Sequence, residues 1–165
     1  IVMIVSVGAL ISINDSNKKA QVTRTVIDNL NFAMENMARN LRIGTNYHCD
    51  ISQGQDVETS DCPSGSTSIA FEWYKGNSAD GSDQMVYRLN NYQIERSIDS
   101  GVTWFPITSP ELVIDSLIFY VTGAPSGDNL QPRVIIVISG NATFKNSIKT
   151  TFQIETAVSQ RKLDS

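Results

Sequence analysis

The chain has 165 residues, a formal net charge of −4 and only 18% charged residues, which is enough sequence for one modest domain. Lysine and arginine are scattered, so the sequence lacks the concentrated positive charge typical of nucleic-acid-binding proteins. It contains one histidine and no phosphate-binding, dinucleotide-binding or paired zinc motif. We therefore expect no enzymatic activity, no catalytic residues, no cofactor, no metal and no nucleic-acid partner.

The first 43 residues predict one long helix with two different halves. The segment Ile1–Ile13 is apolar on all sides, and such a helix must lie in lipid or among copies of itself. Its length of about 20 Å falls short of the ~30 Å hydrocarbon core of a bilayer. No positively charged n-region or cleavage site surrounds it, so we expect residues before Ile1 to be missing from this sequence. The predicted assembly residues are Ile1, Val2, Met3, Ile4, Val5, Val7, Gly8, Leu10, Ile11 and Ile13.

The second half of the predicted helix carries an apolar stripe. Apolar residues recur there in steps of three and four, which places them on one helix face. Gly44 is expected to end the helix, because glycine adopts positive φ without a Cβ clash. We predict a protruding helix over residues 1–21 and a globular head over residues 22–165. The predicted helix–sheet core consists of Val22, Val26, Leu30, Met34, Met37 and Leu41.

Two cysteines, Cys49 and Cys62, flank a short polar segment. Reduced, inert thiols would be typical of a cytosolic protein, but the apolar leader and the loop setting favour a disulfide. A bridge there would stabilise the fold by about 3 kcal/mol in the chain-entropy model. The neighbouring His48 is expected to be an exposed loop residue, because a metal site or a catalytic triad needs further groups.

Downstream of a polar loop over residues 46–65, the hydrophobic period changes from helical to strand-like. Asn90-Asn91 is expected to form a hairpin turn, because asparagine tolerates positive φ. Short connections favour antiparallel pairing, so the predicted fold class is α+β, a long N-terminal α-helix packed on an antiparallel β-sheet. The predicted strands are 67–75, 84–89, 92–98, 102–105, 111–123, 133–139 and 147–158.

Two acidic turns and several strand aromatics are further candidates for binding. The turns at Asp80–Asp83 and Asp99–Gly101 offer oxygen ligands for calcium, but both lack EF-hand spacing and Asp-Gly pairs commonly form turns. We interpret both as turns, and expect residues 78–83 and the segment between the cysteines to be exposed contact surfaces. Strand aromatics more often pack in a core than form a ligand-binding strip. The aromatics in question are Trp73, Tyr74, Tyr87, Tyr92 and Trp104.

The order of these features resembles the type IV pilin and pseudopilin family over the whole chain. The segments that carry the resemblance are Val22–Gly44, Ser68–Trp73, Gln131–Arg133 and Ala157–Arg161, and they are most similar to J-type minor pseudopilins of type II secretion. The glycine–phenylalanine processing site of that family is absent, as is the glutamate five residues into its apolar tail.

The resemblance implies a prepilin that is matured by a dedicated peptidase, held in the inner membrane and then polymerised into an extracellular filament at the bacterial cell surface. Its partners would be copies of itself in a helical homo-oligomer, other pilins and the inner-membrane assembly machinery. We therefore expect a structural subunit of a type IV pilus-like filament. Two alternatives remain: a minor tip or initiation pseudopilin of a type II secretion-like system, or a membrane-tethered extracellular ligand-binding module.

Overall fold

The computed structural model describes residues 2–49, 51, 58–144 and 148–161. The side chains of residues 2–16, 18, 19, 22, 143, 144, 148 and 149 lie outside this description. The predicted assembly residues between Ile1 and Ile13 therefore fall outside the described side chains, as does Val22 of the predicted helix–sheet core.

The described residues form one α-helix, one 3-10 turn and nine strands. Helix α1 spans Val2–Ile43, and the 3-10 turn spans Gly81–Asp83. The strands are β1 Thr45–His48, β2 Cys62–Ser66, β3 Ser68–Glu72, β4 Met85–Asn90, β5 Gln93–Ser97, β6 Phe105–Pro106, β7 Leu112–Thr122, β8 Arg133–Phe144 and β9 Ile148–Ser159.

The strands form two antiparallel sheets. The first sheet has five strands in the order β1-β3-β4-β5-β6, and the second has four in the order β2-β7-β8-β9. Strand β2 lies between β1 and β3 in the sequence but pairs with β7, where Cys62 lies opposite Val121. The chain therefore passes from the first sheet to the second after β1 and returns immediately after β2.

The predicted fold class, a long N-terminal helix packed on one antiparallel sheet, is wrong. The described part of the chain is mostly antiparallel β-structure, and its strands divide between two sheets. The prediction placed all strands in one sheet, whereas the chain changes sheet between β6 and β7. Strand β2, most of which was predicted as loop, pairs with β7 rather than with either of its sequence neighbours.

One hydrophobic core joins α1 to both sheets. Helix α1 contributes a short buried stretch, in which Leu30 is 1% exposed and Met37 is fully buried. The strands supply the larger share of the core, with Phe71 from the first sheet and Phe119 from the second among its fully buried aromatic residues. Five predicted core residues of α1 are buried in this cluster: Val26, Leu30, Met34, Met37 and Leu41.

Helix α1 ends next to the predicted glycine, but the reason for the glycine differs from the expected one. The φ angle of Gly44 is not positive, and its N–H still donates to the Asn40 carbonyl at 2.9 Å. A Cβ on Gly44 would lie 2.4 Å from Cδ2 of Phe71. Glycine is required because the buried Phe71 ring packs directly against the backbone at the helix end.

The hairpin between β4 and β5 turns one residue later than predicted. Asn90 pairs with Gln93, so the two turn residues are Asn91 and Tyr92, with φ angles of 47° and 61°. An aromatic residue rarely occupies this left-handed region. The Tyr92 carbonyl accepts a hydrogen bond of 2.9 Å from Ile114, which ties the turn to β7 of the other sheet.

Candidate functional site

The disulfide between Cys49 and Cys62 links the two sheets. Cys49 directly follows β1 of the first sheet, and Cys62 begins β2 of the second. Their Cα atoms lie 6.3 Å apart in the bonded pair, which confirms the predicted bridge. Both residues pack against the hydrophobic core, and neither thiol is free to act as a nucleophile or metal ligand.

Replacing both cysteines by serine will lower the free energy of unfolding by about 3 kcal/mol, because the unfolded chain regains the freedom that the bridge removes. For a chain of this size we expect the melting temperature to fall by about 6–12 °C. Circular dichroism during heating measures the change, with Ser64→Ala, at an exposed position beside the bridge, as the matched control. An unchanged melting temperature in the double variant would contradict a stabilising role for the bridge.

A second polar site lies between β3 and β4, in a segment that we call the acidic loop (residues 73–84). The loop is folded by its own side chains: Asp83 Oδ2 accepts a hydrogen bond of 2.9 Å from the Asn77 amide. Asp80 Oδ1 accepts from both the amide and the hydroxyl of Ser82, at 3.0 and 2.6 Å. These bonds explain why the sequence Asp-Gly-Ser-Asp forms a 3-10 turn here.

The acidic loop is hydrogen-bonded to the second predicted turn, at Asp99–Gly101. The Ser100 hydroxyl donates to the Gly81 carbonyl and accepts from the Gln84 amide at 3.1 Å. The Ser100 amide donates to the Gln84 carbonyl at 3.0 Å. In the same turn, hydrogen bonds from Ser97 and Thr103 lower the pKa of Asp99 to about 2. The two predicted turns thus lie against each other, which the sequence did not reveal.

Glu72, the last residue of β3, places a carboxylate beneath the acidic loop. The residue is 2% exposed, and burial raises its pKa to about 6, with the nearby Asp83 and Asp80 charges adding to the shift. The Gln84 side chain partly offsets this shift. Among the described residues, both Glu72 oxygens and Asp83 Oδ1 are buried without a hydrogen bond of normal geometry.

His48 is buried beside this site rather than exposed as predicted. Its residue is 2% exposed, and its Nε2 lies 3.1 Å from Oε1 of Gln84, which is also buried. This burial could not be predicted, because Thr45–His48 has no apolar alternation and forms a strand only through its pairing with β3.

Stability in metal-free buffer will fall as the pH rises from about 4.5 to about 6. Over this range the folded chain retains a proton on Glu72 that the unfolded chain, with an ordinary carboxyl pKa of 4.5, has released. The free energy of unfolding therefore decreases as the pH rises toward the folded-state pKa of Glu72. Above that pKa, the contribution of Glu72 is constant. A Glu72→Gln variant lacks this contribution, so its melting temperature relative to the unmodified chain should rise over the same range. Parallel curves for the two proteins would contradict the raised pKa.

An open groove of about 510 Å³ lies between the C-terminal part of α1 and the first sheet. Arg39 and Arg96 line it together with Trp73 and Tyr74, and Nε of Arg96 is buried there without a hydrogen bond among the described residues. The remaining lining residues are Asn36, Asn40, Ile43, Met85 and Ile98.

The five predicted aromatics do not form one strip. Tyr87 is fully buried, and its hydroxyl hydrogen-bonds to Asn36 and Asn40 of α1. Trp104 stacks on the Arg88 guanidinium at 3.6 Å, and Tyr92 is exposed at the hairpin turn. Only Trp73 and Tyr74 share a surface, with ring centroids 5.3 Å apart.

Comparisons with protein-family models, with curated proteins and with solved structures find no match to this chain. Across the part of the chain that the structure describes, no helix is both long enough and apolar enough to cross a membrane.

Proposed function

We propose that this chain is a structural, non-catalytic subunit of a type IV pilus-like surface filament and that it assembles through its apolar segment Ile1–Ile13. The proposal rests on the position along α1 at which the described side chains become buried. The proposed cellular location is the bacterial surface, with the inner membrane as the site of the subunit before assembly.

Among the described side chains of α1, burial begins in the C-terminal part of the helix. The described side chains between Asn17 and Thr25 are exposed or half-exposed, and Val26, 6% exposed, is the first buried one described. The helix itself begins at Val2, so 24 residues of it, about 36 Å at 1.5 Å per residue, precede Val26.

The sequence at the start of that helix supplies the reason for assembly. Ile1–Ile13 contains no charged residue, and exposing such a segment to water is unfavourable. Lipid before assembly and neighbouring copies after it offer two apolar surroundings that exchange without contact with water. A head-to-tail contact between copies that does not close into a ring produces a helical fibre.

The experiment is electron microscopy of material sheared from the cell surface, with the chain identified by immunogold labelling. The expected result is regular labelling along the length of a fibre. A chain that is found only as a monomer in detergent-solubilised membranes would refute the proposal. Labelling restricted to fibre ends would identify a minor tip subunit instead of the main subunit.

A ligand-binding module is the second candidate function, and the groove beside α1 favours it. Two arginines next to two aromatic rings suit an anionic ligand with a flat apolar face. Assembly state separates the two candidates, because a binding module would remain monomeric and would bind a defined ligand.

A further inference from the structure

We propose that Glu72 and Asp83 bind a calcium ion beneath the acidic loop. Three carboxylate oxygens at this place, Glu72 Oε1 and Oε2 and Asp83 Oδ1, are buried and make no hydrogen bond of normal geometry among the described residues, although the Gln84 side chain lies near Glu72. Buried polar atoms in folded proteins nearly always have a partner, so an unpaired buried carboxylate indicates a missing proton, water or ion. This site is independent of whether the chain forms filaments.

The charges around Glu72 favour a cation over an unpaired carboxylate. Its charged neighbours are Asp83 and Asp80, both acidic, and no lysine or arginine of the described residues pairs with it. Lys75, the nearest base in the sequence, lies instead over the rings of Trp73 and Tyr74. Two neighbouring carboxylates without a positive partner repel each other, and a divalent cation removes both this repulsion and the cost of burial.

The donor atoms specify the kind of cation. The unpaired donors are all carboxylate oxygens, whereas both cysteine sulfurs are in the disulfide and Nε2 of His48 faces Gln84. Oxygen-only sites select hard cations, and calcium accepts a bidentate carboxylate and irregular geometry more readily than magnesium does. The described residues contain no group of three or more histidine, cysteine, aspartate and glutamate side chains arranged for a metal. The other ligands would therefore be water or backbone carbonyls, which calcium commonly uses.

The surrounding structure holds the two carboxylates in place before any ion binds. The Asn77 amide fixes Oδ2 of Asp83 and leaves Oδ1 unpaired, while Ser100 anchors the 3-10 turn that carries Asp83. A side chain at position 76 would clash with the Glu72 carboxylate, since a Cβ at Gly76 would lie 2.4 Å from Glu72 Oε2. Prior ordering of ligands reduces the entropy lost on binding.

The first test measures the melting temperature of the full chain in detergent micelles at pH 7.5, in EDTA and in millimolar CaCl₂. We expect calcium to raise it by about 5 °C or more if the ion is present well above its dissociation constant. The rise should vanish in Glu72→Gln and in Asp83→Asn. The matched controls Glu111→Gln and Asp28→Asn, both at exposed positions, should retain it. Glu72→Gln in EDTA should melt no lower than the unmodified chain, which shows that its lost response is not a loss of folding.

The second test uses Tb³⁺, a calcium mimic whose luminescence is excited by a nearby tryptophan. Trp73 Cδ1 lies 3.1 Å from the position that a Cβ on Gly76 would occupy, close to the Glu72 carboxylate. Trp73→Phe should therefore abolish the sensitised signal and Trp104→Phe should retain it, with CaCl₂ displacing the ion. The proposal is overturned by a melting temperature that calcium does not change, by a response that survives both carboxylate variants, or by an equal response to MgCl₂.

Discussion

We expect the replacement of Val5 by aspartate to abolish the proposed filament formation. The substitution introduces a negative charge into the apolar segment Ile1–Ile13, and burying an unpaired charge among apolar helices costs several kcal/mol per subunit. Because every copy in a fibre would carry the same charge, the penalty recurs at each contact. Ile11→Asp should have the same effect. Electron microscopy and pelleting of surface material measure the loss of fibres.

The control for this experiment separates assembly from folding. Asn91→Asp adds the same charge at an exposed turn residue with a φ of 47°, a conformation that aspartate also tolerates. This variant should form normal fibres, and the Val5→Asp chain in detergent should melt at the unmodified temperature because Val5 lies far before the first described buried residue, Val26. Normal fibres from the Val5→Asp chain would exclude the apolar segment as the assembly element.

Leu30→Ala will reduce the free energy of unfolding by about 3–5 kcal/mol, the range for removing a buried leucine side chain from a well-packed core. Leu30 is 1% exposed and belongs to the core cluster that joins α1 to the strands. We expect the melting temperature to fall by about 10 °C for a chain of this length.

The matched control is Phe32→Ala, two residues further along the same helix. Phe32 is 63% exposed, so its removal should change the free energy of unfolding by no more than about 0.5 kcal/mol. Chemical denaturation of both variants gives the two values. Similar losses at the two positions would contradict packing of the buried stripe as the cause of the effect at Leu30, because alanine is the better helix former at both positions.

Local periodicity predicted the long elements well. The predicted strand over residues 111–123 is β7, Leu112–Thr122, and the helix ends at Ile43 as expected. These elements carry long, regular apolar patterns that mark their burial along their own length. All strand pairs are antiparallel, as the short connections predicted.

Long-range pairing explains what the sequence could not predict. Strands β1 and β2 lie in a segment whose composition is that of a loop, and they become strands only because β3 and β7 offer them hydrogen-bonding edges. The predicted short strand over residues 102–105 is wrong for the related reason that only Phe105–Pro106 reaches an edge, that of β5. The burial of Glu72 and His48 likewise depends on contacts between distant segments. Charged and polar side chains give no sequence signal for such burial.

The disulfide between the sheets fixes both ends of the segment between the cysteines, and Asp61 within that segment also accepts a hydrogen bond of 2.8 Å from the Ala124 amide. Since Cys49 directly follows β1 of the first sheet and Cys62 begins β2 of the second, the covalent link joins the two sheets at this point. Doubling the length of such a loop costs only about 0.6 kcal/mol of closure entropy. Under the proposed surface location, an insertion in this segment would cost little closure entropy, and we expect antibodies or phages to meet a rapidly changing surface there.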